Sequence, residues 1–170
     1  NALQKCTWQG YSDESVWSRG QSWALYGYTM MYRETKQPRY LEQAKHIAGF
    51  LLNHPKMPQD KIPYWDFDDP KVPDALRDAS AAAIMASALL ELSGYVDKVT
   101  RQGYIAVAET QLRTLASDEY LAKPGENCNF ILKHSVGFLP QNSEVDVPLT
   151  YADYYFVEAL MRYRAMHLKE

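Results

Sequence analysis

At 170 residues, 46% hydrophobic and 23% charged, with a formal net charge of −3, the chain has the composition of one soluble globular domain. Its basic residues are scattered and no Lys/Arg run exceeds two, so no nucleic-acid partner is expected. The longest strongly apolar stretch, 79–92, is too short and too rich in Ala and Ser to span a bilayer, so no membrane partner is expected. Cys6 and Cys128 lack metal-ligand spacing, and His46, His54, His134 and His167 contain no i, i+4 pair; neither a metal nor another cofactor is expected.

A polar segment, Gln9 to Ser15, feeds an amphipathic helix predicted over about 14–35, with Ser12, Asp13 and Ser15 all able to cap it. Trp17, Leu25, Tyr28 and Tyr32 are among its apolar positions. Its first turns carry Trp17, Arg19, Gln21 and Trp23. At helical spacing Arg19 and Trp23 share one face, and Trp17 and Gln21 another. A helix mouth of this kind suits an anionic, ring-shaped ligand, because guanidinium pairs with carboxylate and indole faces stack on sugar C–H surfaces. Core packing, with Arg19 satisfied by Asp13 or Glu14, fits the same residues.

After a tight Lys36-Gln37 turn, a second helix is predicted over about 38–53, with Pro38 in its first turn and Tyr40, Leu41, Ala44, Ile47, Ala48 and Leu51 at helical period. The connection that follows holds five of the nine prolines. In it Trp65, with Tyr64 and Asp66, is either a sugar-stacking platform or part of a loop packed on the body of the domain. Asp78 caps a third helix over about 78–92, closed by Ser93-Gly94, while Arg77 can pair with Asp66 or Asp68. The Ala-rich, almost uncharged body of this helix predicts burial on all sides, whereas the second helix and a fourth, over about 98–116, are amphipathic and outer. A long connection containing His134-Ser135 leads to a fifth helix over about 151–166. Asp146 and Asp153 read as caps there, and Tyr154-Tyr155-Phe156 as core. No stretch alternates as a strand with hairpin turns, so the class is all-α. Short turns alternate with long loops, as in a toroid of helical hairpins whose long loops gather the function at one rim.

Four blocks carry a family resemblance: Gln9-Gly10-Tyr11-Ser12-Asp13-Glu14-Ser15-Val16-Trp17-Ser18-Arg19-Gly20-Gln21-Ser22-Trp23; Ile62-Pro63-Tyr64-Trp65-Asp66-Phe67-Asp68; Arg77-Asp78-Ala79-Ser80-Ala81-Ala82; and Ser143-Glu144-Val145-Asp146-Val147-Pro148-Leu149 running into Tyr151-Ala152-Asp153-Tyr154-Tyr155-Phe156. In this order, over nearly the whole chain, they resemble glycoside hydrolase family 88, the unsaturated glucuronyl hydrolases. Trp8 departs from the pattern, standing where many members have His.

The resemblance implies an (α/α)6 barrel, a six-hairpin toroid, of which residues 1–170 supply roughly the second half as the C-terminal portion of a single glycosidase domain. Three inner and two outer helices are implied, each inner helix beginning with a signature block at the same rim. The implied partner is an unsaturated uronate-containing oligosaccharide, the product of a glycosaminoglycan or polysaccharide lyase. The implied setting is a bacterial cytoplasm or periplasm, and no secretory signal pattern is present.

Arg19 matches an Arg that contacts the unsaturated uronate in the family, and Gln9 and Trp23 match substrate contacts. Trp17, Gln21, Trp65, His134 and Ser135 complete the candidate substrate-binding set. Leu132 and Gly137 stand where relatives acting on sulfated sugars carry extra Ser and Lys residues, which weighs against a dedicated sulfate site. The family's Asp that protonates the C4=C5 double bond and activates water for C5, together with its partner, falls upstream of residue 1. No catalytic residue is therefore expected in this chain, and the chain alone is expected to be inactive. A sister family acting on unsaturated rhamnogalacturonan disaccharides shares a similar W-A-R-x-x-x-W block, but the Gln-Gly-Tyr lead-in and the Ser-Glu-Val-Asp-Val-Pro ending favour family 88. A non-catalytic helical sugar-binding or scaffold module is the rival of another class. Half a toroid leaves two helix-pair edges open, which a homodimer would close.

Overall fold

The computed structural model describes residues 3–168. It contains five α-helices: α1 (Ser18–Thr35), α2 (Pro38–Leu52), α3 (Ala79–Leu92), α4 (Lys98–Leu115) and α5 (Thr150–His167). Among the described residues extended backbone pairs only in isolated bridges, never in a strand. α3 packs against α1 on one side and α5 on the other, with α4 behind it, while α2 covers α1. Inner helices α1, α3 and α5 thus form one layer, and α2 and α4 a second.

The all-round apolar character of α3 decides this order, since 13 of its 14 residues are buried. Its small Ala and Ser side chains let three neighbours approach, and Ile84, Met85, Leu89 and Leu92 fill the gaps between them. Each such aliphatic side chain taken out of water stabilises the fold by about 1.5–3 kcal/mol. The outer helices α2 and α4 bury one stripe each: Ala44, Ile47, Ala48 and Leu51, and Tyr104, Ala108, Leu112 and Leu115. Asp97 caps α4 by accepting from Val99 N and Thr100 N, and Asp78 caps α3 by accepting from Ser80 N and Ala81 N. Lys36 ends α1 in the left-handed region, its N–H donating to Tyr32 O at 2.9 Å.

Two boundaries differ from the sequence pattern. α1 begins at Ser18, four residues later than expected, because the capping candidates are spent elsewhere. Ser15 Oγ accepts from Ser12 N at 2.9 Å and closes a local turn, while Asp13 accepts from Thr7 N. Residues 16–17 then run extended against the loop, with Phe67 N donating to Val16 O at 3.0 Å. α3 does not stop on a left-handed glycine at Gly94. It continues into a 3-10 turn, Ser93–Tyr95, and Ser93 Oγ donates back to Leu90 O at 2.7 Å.

The N-termini of α1, α3 and α5 gather at one rim, where the long loops also lie. At the opposite rim Glu91 accepts from both Arg33 and Arg162, tying together the three C-terminal ends, where cations suit the helix dipoles. No helix among the described residues is long and apolar enough to cross a membrane. The outer flank of α5 shows Tyr154, Val157, Leu160 and Met161 to solvent.

Candidate functional site

The loop ahead of α1 is organised by a carboxylate from elsewhere in the chain. Asp66 is fully buried; its Oδ2 accepts from Tyr11 N at 2.9 Å and from Ser15 Oγ at 2.7 Å, and its Oδ1 accepts from Asp68 N. Ser18, the first residue of α1, donates both its N–H and its Oγ–H to Trp65 O. The long connection between α2 and α3 thus caps and aims the first turn of α1, a task the sequence pattern assigns to local Ser and Asp residues.

Arg19 sits at the centre of the rim, only 2% exposed. Its Nη1 donates to Asp78 Oδ2 at 3.2 Å and to Val136 O, and its Nη2 donates to Gly137 O. The guanidinium lies 5.1 Å from the Trp17 ring centre and 5.5 Å from that of Tyr151, in the first turn of α5. Of its five N–H groups, the Nε–H and one on Nη2 have no acceptor among the described residues. The carboxylate that Arg19 meets is therefore Asp78, 59 positions away. Asp13 and Glu14 are engaged with Thr7 N and Lys5 instead.

Asp78 is held from all sides. Its Oδ1 accepts from Ser80 Oγ at 2.5 Å and Ser80 N at 3.0 Å, with Ala81 N and Val136 N farther off. Burial pushes its carboxyl above the ordinary range, while Arg19, Ser80 and the backbone amides pull it back toward the ionised form. Burial also pushes the Tyr151 phenol up to about 12, so it remains an O–H donor at neutral pH. The positive ends of three helix dipoles and one guanidinium converge here, with Asp78 bound to Arg19 and Glu144 beside Gly137 and Tyr151 as the neighbouring carboxylates.

The other expected residues divide. Trp23 is half-buried, edge-on to Tyr155 at 5.1 Å and tilted against Tyr151 at 6.0 Å, so it joins the aromatic wall around Arg19. Gln9 and Gln21 are half-buried in the loop and first turns that carry Trp17. Trp65 does not present a stacking face: it is 3% exposed and its Nε1–H donates to Asp69 Oδ2 at 2.6 Å. Its loop folds inward because its own aromatic and Asp69 satisfy each other under the surface. Ser135 is buried, its backbone paired with Val147, and the next two carbonyls, of Val136 and Gly137, reach Arg19. His134 meets Asp146 at 2.7 Å, half-exposed, with a left-handed backbone. Arg77 pairs with Asp60 and Ile62 O rather than with Asp66 or Asp68, whose oxygens face the α1 entry. Asp153 does not cap its own helix; it accepts from Ile131 N and Leu132 N, pinning the loop to α5. Pattern reading missed the Asp78–Arg19 pair, Tyr151, and the two carbonyls. Arg19, Asp78 and Tyr151 each stand in a signature block, but nothing in the sequence pairs Arg19 with Asp78 or marks the two carbonyls.

No protein-family profile matches the chain. An unsaturated glucuronyl hydrolase of Formosa agariphila is 51% identical over 165 residues, 97% of this chain and 40% of that protein. A solved unsaturated glucuronyl hydrolase specific for heparin is 59% identical and superimposes with a TM-score of 0.95 over 98% of this chain and 44% of that one. The Streptococcus agalactiae unsaturated glucuronyl hydrolase, solved with dGlcA-GalNAc6S, is 33% identical with a TM-score of 0.83 over 96% of this chain and 43% of that one. The chain thus spans about two fifths of the length of these relatives, and its two helical layers match that part of their (α/α)6 barrel. By sequence and by fold together, the chain belongs to the unsaturated glucuronyl hydrolases, glycoside hydrolase family 88.

Proposed function

We propose that this chain forms the uronate-recognising part of an unsaturated glucuronyl hydrolase that removes terminal 4,5-unsaturated uronic acid from lyase-generated oligosaccharides. The observation that carries it is the Arg19 guanidinium, held between Trp17 and Tyr151 at the meeting point of three helix N-termini, with two N–H groups unspent. Those two groups take the uronate carboxylate. Trp17 and Trp23 give apolar walls for the ring, and Gln9 and Gln21 offer amides to its hydroxyls; the buried Trp65 takes no part.

Holding the carboxylate fixes C5, to which it is attached. A proton delivered to C4 leaves an oxocarbenium at C5 and the ring oxygen, water adds at C5, and the resulting hemiketal opens and releases the neighbouring sugar. The proton donor belongs to residues outside 1–170, so the chain alone does not turn over. That the Streptococcus agalactiae relative was solved with an unsaturated uronate disaccharide supports the substrate class.

The test replaces the matching region of the Formosa agariphila relative by residues 1–170. The chimera is expected to remove the unsaturated-uronate absorbance of a glycosaminoglycan-lyase disaccharide, and the 170-residue chain alone is not. Robust turnover by the chain alone, or a folded chimera with none, overturns the reading.

A further inference from the structure

We propose that Asp78 is a positioning residue for substrate recognition, setting the direction in which Arg19 presents its open N–H edge. This deepens the function proposed above and rests on Arg19 being the carboxylate anchor.

The geometry separates two jobs on the two oxygens of Asp78. Oδ1 serves the fold, accepting from Ser80 N, Ser80 Oγ and Ala81 N as the cap of α3. Oδ2 serves Arg19 alone among the described residues, at 3.2 Å from Nη1. An Asn, Ser or Thr would cap α3 nearly as well. Only a carboxylate both caps and neutralises a cation that is 2% exposed.

Asp78 and the carbonyls of Val136 and Gly137 occupy both Nη1 protons and one Nη2 proton. A guanidinium is planar and rigid, so fixing three of its protons fixes the other two. With Trp17 and Tyr151 flanking it, the group cannot swing to another rotamer without breaking the Asp78 contact. The Nε–H and remaining Nη2–H are thereby aimed before substrate arrives, which lowers the ordering cost of binding. Asp78 is itself locked, since the 2.5 Å bond from Ser80 Oγ fixes its carboxylate plane.

The test uses the chimera described above, kinetics on an unsaturated uronate disaccharide, and a double-mutant cycle. Asp78→Asn keeps the cap and removes the anion. It is expected to lower kcat/KM roughly 10- to 100-fold, the scale of a misaimed binding group, and to change it less than about twofold once Arg19 is already Ala. Ser80→Ala, which spares both charges, is expected to raise KM a few-fold with kcat nearly unchanged, and again only while Arg19 is present. A purely structural Asp78 would instead multiply, giving the same factor with and without Arg19, and that outcome overturns the proposal, as does an Asp78→Asn enzyme equal to the parent. If Arg19→Ala itself matches the parent, the anchor reading has failed; if Arg19→Ala is impaired and the cycle is additive, only the positioning role has failed. Should Asp78→Asn not fold, the Ser80→Ala cycle decides by the same criterion.

Discussion

The indole of Trp17 lies over Gly20, occupying the space that a β-carbon on Gly20 would need. The same indole faces the Arg19 guanidinium from 5.1 Å, so the absence of a side chain at position 20 lets the ring lie flat on the first turn of α1. Gly20→Ala is expected to push the ring outward. Overpacking of this kind costs about 1–3 kcal/mol, only partly offset by the gain of about 1 kcal/mol from Ala in a helix. Gly103, exposed in α4 with nothing within 4 Å of its would-be β-carbon, is the internal comparison. Thermal melts should show Gly20→Ala lowering Tm and Gly103→Ala raising it by the equivalent of about 0.5–1 kcal/mol. Equal shifts would mean that Trp17 is not held where the fold places it.

Arg19 joins stability to recognition, and the two effects can be separated. Removing one member of a buried pair leaves the other charge stranded, at a cost of about 3–5 kcal/mol, so Arg19→Ala should melt well below the parent. In the active chimera it should also lose about 2–4 kcal/mol of transition-state stabilisation, the scale of a charge-assisted contact in a closed site. Arg19→Lys should regain some stability by keeping a cation beside Asp78, but little activity, because an ammonium cannot present a fork. Kinetics of Arg19→Ala within twofold of the parent, at a temperature where it is folded, would leave Arg19 as scaffolding alone.

What the sequence reveals here depends on how local each cause is. α2 to α5 lie within a residue or two of their expected bounds because Pro38, Asp78 and Asp97 act on the helix they begin, and apolar period marks the rest. The sequence pattern starts α1 too early because Asp13 and Ser15 have closer partners, and the true cap, Trp65 O, comes from a loop 47 positions on. Backbone carbonyls such as those of Val136 and Gly137 carry no residue signature, so their hold on Arg19 could not be foreseen. The sequence leaves Trp65 open between a stacking platform and a packed loop, and the partner that decides for burial, Asp69, stands four residues away. The gathering of signature blocks at one rim was legible from the resemblance; which carboxylate met which arginine was not.

His54 gives the fold an acid-sensitive point at the end of α2, against the loop that carries Phe67. Its ring lies 4.2 Å from that of Phe67 by centroids, and its Nδ1 accepts from Lys56 N at 3.3 Å, an arrangement that needs the neutral imidazole. Burial lowers its pKa below the ordinary value, with Lys56 adding to the effect and Asp68 opposing it. A base with a lowered folded pKa binds its proton more readily when unfolded. Its contribution is therefore complete above the unfolded value, near 6.5, and is lost as pH falls through the folded one. Between pH 7 and pH 5 the parent should lose Tm, and His54→Gln should lose distinctly less over the same interval. Parallel decline in both proteins would put the acid sensitivity elsewhere.

The flank of α5 bears on how the isolated chain behaves in solution. Tyr154 is 60% exposed and Met161 68%, with Val157 and Leu160 about two fifths exposed between them at helical spacing, beside a groove of about 610 Å³ that Ile131 also lines. The opposite inner helix, α1, shows a second apolar strip at Ala24, Tyr28 and Met31. Contiguous apolar surface of this kind seldom stays in water when another such surface is available. In the longer relatives other parts of the protein accompany the matched region, whereas the isolated 170-residue chain has only further copies of itself. A heterologous contact of the α5 flank on the α1 strip of the next copy, or a two-fold closure of both, would bury it. Sedimentation of the chain at micromolar concentration should show association that weakens on dilution. Met161→Glu, which places a charge on the flank at a residue 68% exposed, should shift the population toward monomer without lowering Tm. A parent chain that stays monomeric and melts cooperatively at the highest concentrations would show that helix-flank exposure of this extent is tolerated.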